Sequence, residues 1–182
     1  HMSTIYFFFG MTYSVYVTFM VTSLIEERGL DEITAGQFWA TLGLITLISG
    51  PTFGFISDKF GRQNAFALAF VVYGIAHALA AINGSSIFQW ASVTAFGIAG
   101  WSIPAIMGAA VGDYSAPQNA VKVLGTITVW FSMGQVIGPT LGGILAKLTD
   151  SFIPRYRFIT GAAATAILML IIFPSSHTIN HD

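Results

Sequence analysis

Apolar residues in this chain come in long unbroken runs, not in the alternating or one-faced patterns of soluble domains. Six runs, bounded by charge, Gly/Pro or polar clusters, approach the roughly 20 residues that a helix needs to cross the hydrocarbon core. They cover 3–24, 34–56, 65–82, 87–111, 121–145 and 154–173. The connections at 26–32, 57–64, 83–86, 113–120 and 146–153 are short, so successive spans are expected to be antiparallel neighbours. A β-barrel needs alternating segments of about ten residues, which continuous runs do not supply. The expected fold is an all-α membrane protein with one six-helix transmembrane domain over 3–174 and a short polar tail at 175–182. His1-Met2 reads as an expression scar, and the natural chain is expected to begin upstream of Ser3.

Within the spans, the small and the polar residues are the ones that form patterns. In the second span Gly36, Ala40, Gly43, Leu47, Gly50 and Gly54 recur at spacings of four and three, giving a mostly small-residue stripe. The fifth span repeats the device with Gly134, Gly138 and Gly142. Lipid is as apolar as leucine, so helices associate through such close-packing stripes. They serve the packing of this bundle, the seam to a second one, or both, because one helix has more than one face. Polar residues gather on the first and fourth spans. Tyr6, Gly10 and Tyr13 share a face, with Thr12, Tyr16 and Thr18 broadly opposite, and the fourth span carries Trp90, Thr94, Gly97, Trp101, Pro104 and Gly108 in one stripe. Aromatic rings with hydroxyls and a helix-breaking proline suit a solvated cavity, and an interfacial aromatic belt is the competing reading, strongest for Tyr6 and Trp90.

Composition agrees with burial in lipid: 54% of residues are hydrophobic and 8% charged, against about a quarter charged in soluble domains. Seven Lys and Arg against eight Asp and Glu leave no basic field for a nucleic acid. The absence of cysteine removes disulfides and thiolate chemistry. No Asp or Glu falls in mid-span, so any coupling acid is expected elsewhere. His77, deep in the third span, is read as a hydrogen-bonded structural histidine in preference to a proton carrier. Paired carboxylates, HExxH, GxSxG and GxxxxGK patterns are absent, so an enzyme, a metal site and a cofactor are not expected. Cations divide three (Lys59, Arg62, Lys122) to four (Arg28, Lys147, Arg155, Arg157) between the two sides, which does not set an orientation.

The informative charges are at span ends. The stretch 54–62 must turn sharply, which Gly61 permits, and two antiparallel crossings place Asp113 on the same membrane side. An Arg62 to Asp113 pair with Asp58 beside it is therefore expected to act as a latch.

Gly54-x-x-x-Asp58-Lys59-x-Gly61-Arg62 resembles the loop signature of the major facilitator superfamily, found between the second and third helices of each half. Gln63 stands where a further cation is usual, which weakens the cationic cluster. Gly134-x-x-x-Gly138-Pro139-x-x-Gly142-Gly143 resembles the glycine-proline signature on the fifth helix of a half. The texture of Trp101-Ser102-Ile103-Pro104, of Gly112-Asp113-Tyr114 and of 131–143 is similar to the C-terminal half of the bacterial YbfB/YjiJ-like facilitators.

The resemblance implies half of the family's fold: two inverted three-helix repeats, with helices one and four lining a cavity and helices two and five meeting the other half. It also implies a bacterial inner-membrane location, with 57–64 and both termini cytoplasmic. The expected function is one half of a secondary transporter that moves a small organic solute by alternating access. Tyr13, Tyr16, Thr94 and Trp101 would line the cavity. Asp58, Arg62 and Asp113 would form the cytoplasmic latch, and Gly43, Gly50, Gly54, Gly134, Gly138, Pro139 and Gly142 the seam between halves. The partners implied are the lipid bilayer, an unidentified small solute, and the other half or a second copy of this chain. The alternatives are a half-size transporter working as a homodimer and a non-transporting docking module.

Overall fold

In lipid each backbone N–H and C=O must find its partner within its own segment, and for a single apolar run the helix is the form that does so. The computed structural model describes residues 1–82, 84–149 and 159, and its regular structure there is entirely helical. The helices are α1 (Met2–Glu26), α2 (Glu32–Phe60), α3 (Arg62–Ala80), α4 (Ser86–Ala99), α5 (Ser102–Tyr114) and α6 (Ala120–Thr149), with a 3₁₀ turn at Pro117–Asn119 before α6. Taking α4 and α5 as one interrupted segment, five segments are long and apolar enough to cross a membrane. The protein is thus multi-pass. The sixth expected span, 154–173, lies outside the described residues except for Ile159, which is buried beside Met11 and Val15, and so do Arg155, Arg157 and the tail.

Two boundaries differ from the sequence expectation. The connection expected over 57–64 is almost entirely helical: α2 runs on to Phe60, α3 starts at Arg62, and Gly61 alone makes the turn at φ 88°. Only glycine adopts that φ without a steric penalty, so one residue suffices where a loop was expected. The second difference is the break of the fourth span at Gly100–Trp101. Pro104 has no N–H to give the Gly100 carbonyl, and its ring crowds that same carbonyl.

At the opposite membrane side Asp31 caps α2, its carboxylate accepting from the Thr34 amide (2.9 Å) and the Thr34 hydroxyl (2.7 Å). Those bonds, the hydroxyl's first, hold the Asp31 carboxyl below the ordinary carboxylate range. Nearby, the Arg28 guanidinium forks onto the Ala80 and Ile82 carbonyls (2.7 and 2.9 Å), satisfying the acceptors that the end of α3 leaves open.

The closest approach in the bundle is between α1 and α6. A Cβ on Gly134 would fall onto the Phe7 carbonyl oxygen, and one on Gly138 would lie 2.6 Å from the Met11 carbonyl oxygen. Gly142 faces Phe19 and Val15, and from the other side Gly10 faces the Phe131 backbone. The pairs 7/134, 11/138 and 15/142 advance together, so α1 and α6 run parallel. The row Gly134, Gly138, Gly142 is buried here against α1, so it serves the packing of this bundle. Pro139, next to the row, is half-buried.

The second-span stripe behaves in the opposite way. Cβ atoms built on Gly36, Gly43, Gly50 and Gly54 meet nothing within 4 Å. Helix α2 instead packs on α4 through its larger residues, with Ile45 and Thr46 lying over Gly97 and Gly100. Phe38 stacks on Trp90 with ring centroids 3.8 Å apart, which places Trp90 within a helix contact. The core between these layers holds Phe9, Tyr16, Phe70, Tyr73, Phe96 and Met107, all essentially without exposure.

Candidate functional site

Two places combine polar chemistry with access from outside the bundle. The first is the corner at Gly61. With α2 and α3 meeting at a single residue, Asp58 and Arg62 stand one turn apart, and the end of α5 brings in Asp113. The Arg62 Nε donates to Asp113 (2.7 Å), while its Nη1 donates to Asp58 (2.5 Å) and to the Ser57 hydroxyl (2.7 Å). The Arg62 side chain is 18% exposed and the two carboxylates 68% and 49%. The guanidinium is therefore the enclosed member of the cluster and the acids form its rim. Lys59 does not join it, lying instead over the Phe55 and Phe60 rings. Ser57, buried at the end of α2, is a member that the charge pattern could not reveal, because a lone serine has no sequence signal.

The second place is aromatic. Trp101, at the break between α4 and α5, is 54% exposed, and its ring lies 6.5 Å from that of the half-buried Tyr13. Thr94 is also exposed on α4. Tyr16 departs from the cavity expectation. It is 1% exposed, its ring stacks on Phe96 at 3.8 Å, and its hydroxyl meets Ser92 Oγ at 2.8 Å. Ser92 spends its own proton on the Ala76 carbonyl (2.7 Å), so Tyr16 is the donor. Tyr16, three residues after Tyr13, sits only about 60° round the helix from it, and that offset takes its ring off the exposed edge and into the core.

Tyr16→Phe is therefore expected to lower stability by about 1 kcal/mol, the usual net worth of one hydrogen bond, because Ser92 keeps its bond to Ala76. A thermal melt in detergent measures this. A loss of solute affinity in Tyr16→Phe with an unchanged melt would return Tyr16 to the cavity.

His77 is fully buried, with Nδ1 2.7 Å from the Tyr73 carbonyl oxygen and Nε2 3.1 Å from that of Thr12. The ring joins α3 to α1, as a structural histidine would. The break in the fourth span is served by two residues that sequence reading passed over. The Tyr73 hydroxyl reaches the Ala99 and Gly100 carbonyls, and Ser49 Oγ accepts from the Trp101 amide (3.0 Å). Only Pro104 signalled that such partners would be needed. Among the described residues no cluster of three potential ligands could hold a metal.

Comparison with known proteins completes the picture. The chain is 27% identical over 161 residues to human solute carrier family 67 member A1, covering 86% of this chain and 38% of that protein. It is 24% identical over 156 residues to the class B tetracycline resistance protein of Escherichia coli, covering 84% and 38%. Against multidrug resistance protein 2 of Bacillus subtilis (strain 168) it is 26% identical over 128 residues, covering 70% and 32%. The chain thus spans less than two-fifths of the length of these relatives, which are transport and resistance proteins and not enzymes. The model of the Major Facilitator Superfamily matches residues 2–180, nearly the whole length, and on that match this chain belongs to the major facilitator superfamily.

Proposed function

We propose that the chain is one six-helix half, two inverted three-helix repeats, of a secondary transporter that carries a small organic solute across a bacterial inner membrane by alternating access. The observation that carries this reading is the Arg62 fork. It joins the α2–α3 corner to the far end of α5, and any rocking that moves α5 against that corner must open it. The relatives' lengths support a second unit of similar size, supplied by the rest of a longer chain or by a second copy. Gly43, Gly50 and Gly54 of α2 stay open for that unit, while Gly134, Gly138 and Gly142 are occupied. The texture noted above supports a C-terminal half of the YbfB/YjiJ-like branch, and the family's signature loop supports 57–64 and both termini on the cytoplasmic side.

Tyr13 and Trp101 would contact the solute, with Thr94 on the same wall. Both rings offer flat apolar faces, so a molecule with an aromatic or extended apolar surface fits this wall. The name of one relative, the class B tetracycline resistance protein, suggests tetracycline as the first probe. The test is uptake of tetracycline and a panel of aromatic solutes into proteoliposomes holding this chain alone, or with a second six-helix unit. Trp101→Ala and Tyr13→Ala are expected to raise the KM of a transported solute roughly tenfold each, as loss of about 1.4 kcal/mol of binding would. No uptake by any combination, together with a stable stoichiometric complex with another membrane protein, would make the chain a docking module instead.

A further inference from the structure

The break at Gly100–Trp101 presents two main-chain carbonyls inside an apolar bundle, where an acceptor without a donor is costly. Pro104 cannot serve Gly100. The donor comes from α3: the Tyr73 hydroxyl lies 2.9 Å from the Ala99 oxygen and 3.0 Å from the Gly100 oxygen. It has one proton for two acceptors at nearly equal distance. Ser102 Oγ covers Ala99 as well, at 2.6 Å, so Gly100 is the acceptor that depends on Tyr73. The tyrosine itself is wedged between Phe9 of α1 and Phe96 of α4, with ring centroids 5.9 and 5.0 Å away, and has no exposure. It is a rigid post. On the other side of the break the Trp101 amide is held by Ser49 of α2.

We infer that Tyr73 is a positioning residue for the aromatic wall: its hydroxyl fixes the bend between α4 and α5 and thereby sets Trp101 against Tyr13. The inference builds on the reading of those two rings as solute-facing, but the bend itself belongs to this chain alone. The same bend aims α5, whose far end carries Asp113 to Arg62, so one hydroxyl orients both the aromatic wall and the charged corner. With one proton and two partners, Tyr73 can follow a change of bend by passing its bond from one carbonyl to the other, keeping an acceptor satisfied throughout.

The absence of cysteine allows a direct test. Nitroxide labels at Ile87→Cys on α4 and Gly108→Cys on α5, both exposed positions, report the bend as a distance distribution in nanodiscs. Tyr73→Phe keeps the ring and removes the proton, and it is expected to broaden that distribution roughly twofold through local loosening of the break. Acrylamide quenching of Trp101, left as sole tryptophan by replacing Trp39, Trp90 and Trp130 with Phe, should rise in parallel. Adding Pro104→Ala returns an N–H to the Gly100 carbonyl, so the double variant should regain a narrow distribution. That rescue is what a purely packing role for Tyr73 would not show. An unchanged width and unchanged quenching in folded Tyr73→Phe overturns the inference, as does failure of Pro104→Ala to rescue. If Tyr73→Phe alone does not fold, the double variant must; a double variant that also fails to fold places the role of Tyr73 elsewhere. None of these readouts uses transport, so a failed flux assay and a failed bend assay remain separate results.

Discussion

Replacing Gly134 with leucine is expected to drive α6 off α1 and to destabilise the bundle severely, whereas Gly50→Leu leaves the bundle intact. At Gly134 a built Cβ lands on the Phe7 carbonyl oxygen and within 2.9 Å of the Met11 nitrogen, and both obstacles are backbone. A crowded side chain can change rotamer, but a helix backbone can only move as a whole. Overpacking a core costs about 1–3 kcal/mol where side chains yield, and here the cost is expected at or above the upper end of that range. A loss of about 3 kcal/mol corresponds to a fall of roughly 6–12 °C in melting temperature for a chain of this size. At Gly50 nothing lies within 4 Å, so the leucine side chain projects from the outer face of α2. Its effect is expected only in association with a second six-helix unit, read as complex yield after detergent extraction. A melt for Gly134→Leu within a degree or two of the parent would mean that α1 and α6 do not meet through this row.

The second large effect is expected at Arg62. An exposed ion pair contributes only about 0–1 kcal/mol, and Asp58 or Asp113 taken singly would belong in that class. Arg62 differs because one mostly enclosed guanidinium serves two carboxylates and the Ser57 hydroxyl at 2.5–2.7 Å. Removing about 1.4 kcal/mol from one side of a two-state equilibrium shifts the populations tenfold, so Arg62→Ala is expected to lower transport at least about tenfold. Arg62→Lys should do nearly as badly, since a point ammonium cannot fork between α2 and α5 as a planar guanidinium does. Asp58→Asn and Asp113→Asn should each lose less, and the pair together no more than Arg62→Ala, because all three changes act on one cluster. Insertion into the membrane should be normal in every case, the charges being at helix ends. Wild-type flux from both Arg62→Ala and Asp113→Asn would end the latch reading.

Part of this was legible from residues alone. Five of the spans, and most of their ends, follow from long apolar runs and from charges that cannot stay in lipid. The approach of Arg62 to Asp113 follows from counting antiparallel crossings. Each of these depends on what a residue does by itself against water or hydrocarbon, and that is a local property.

The faces were decided by the tertiary structure. Two glycine rows with the same spacing have opposite fates: that of α6 is filled by α1, and that of α2 is open. Tyr13 and Tyr16 are three residues apart, yet one stands half-exposed beside Trp101 and the other is stacked on Phe96 in the core. Tyr73 and Ser49, which hold the broken span together, carried no pattern at all. In a soluble helix the boundary between apolar and polar sides reveals the buried face. Lipid tails and protein interior are equally apolar, so in these helices hydrophobicity has no direction, and only contact between specific side chains and backbones chooses which face turns inward.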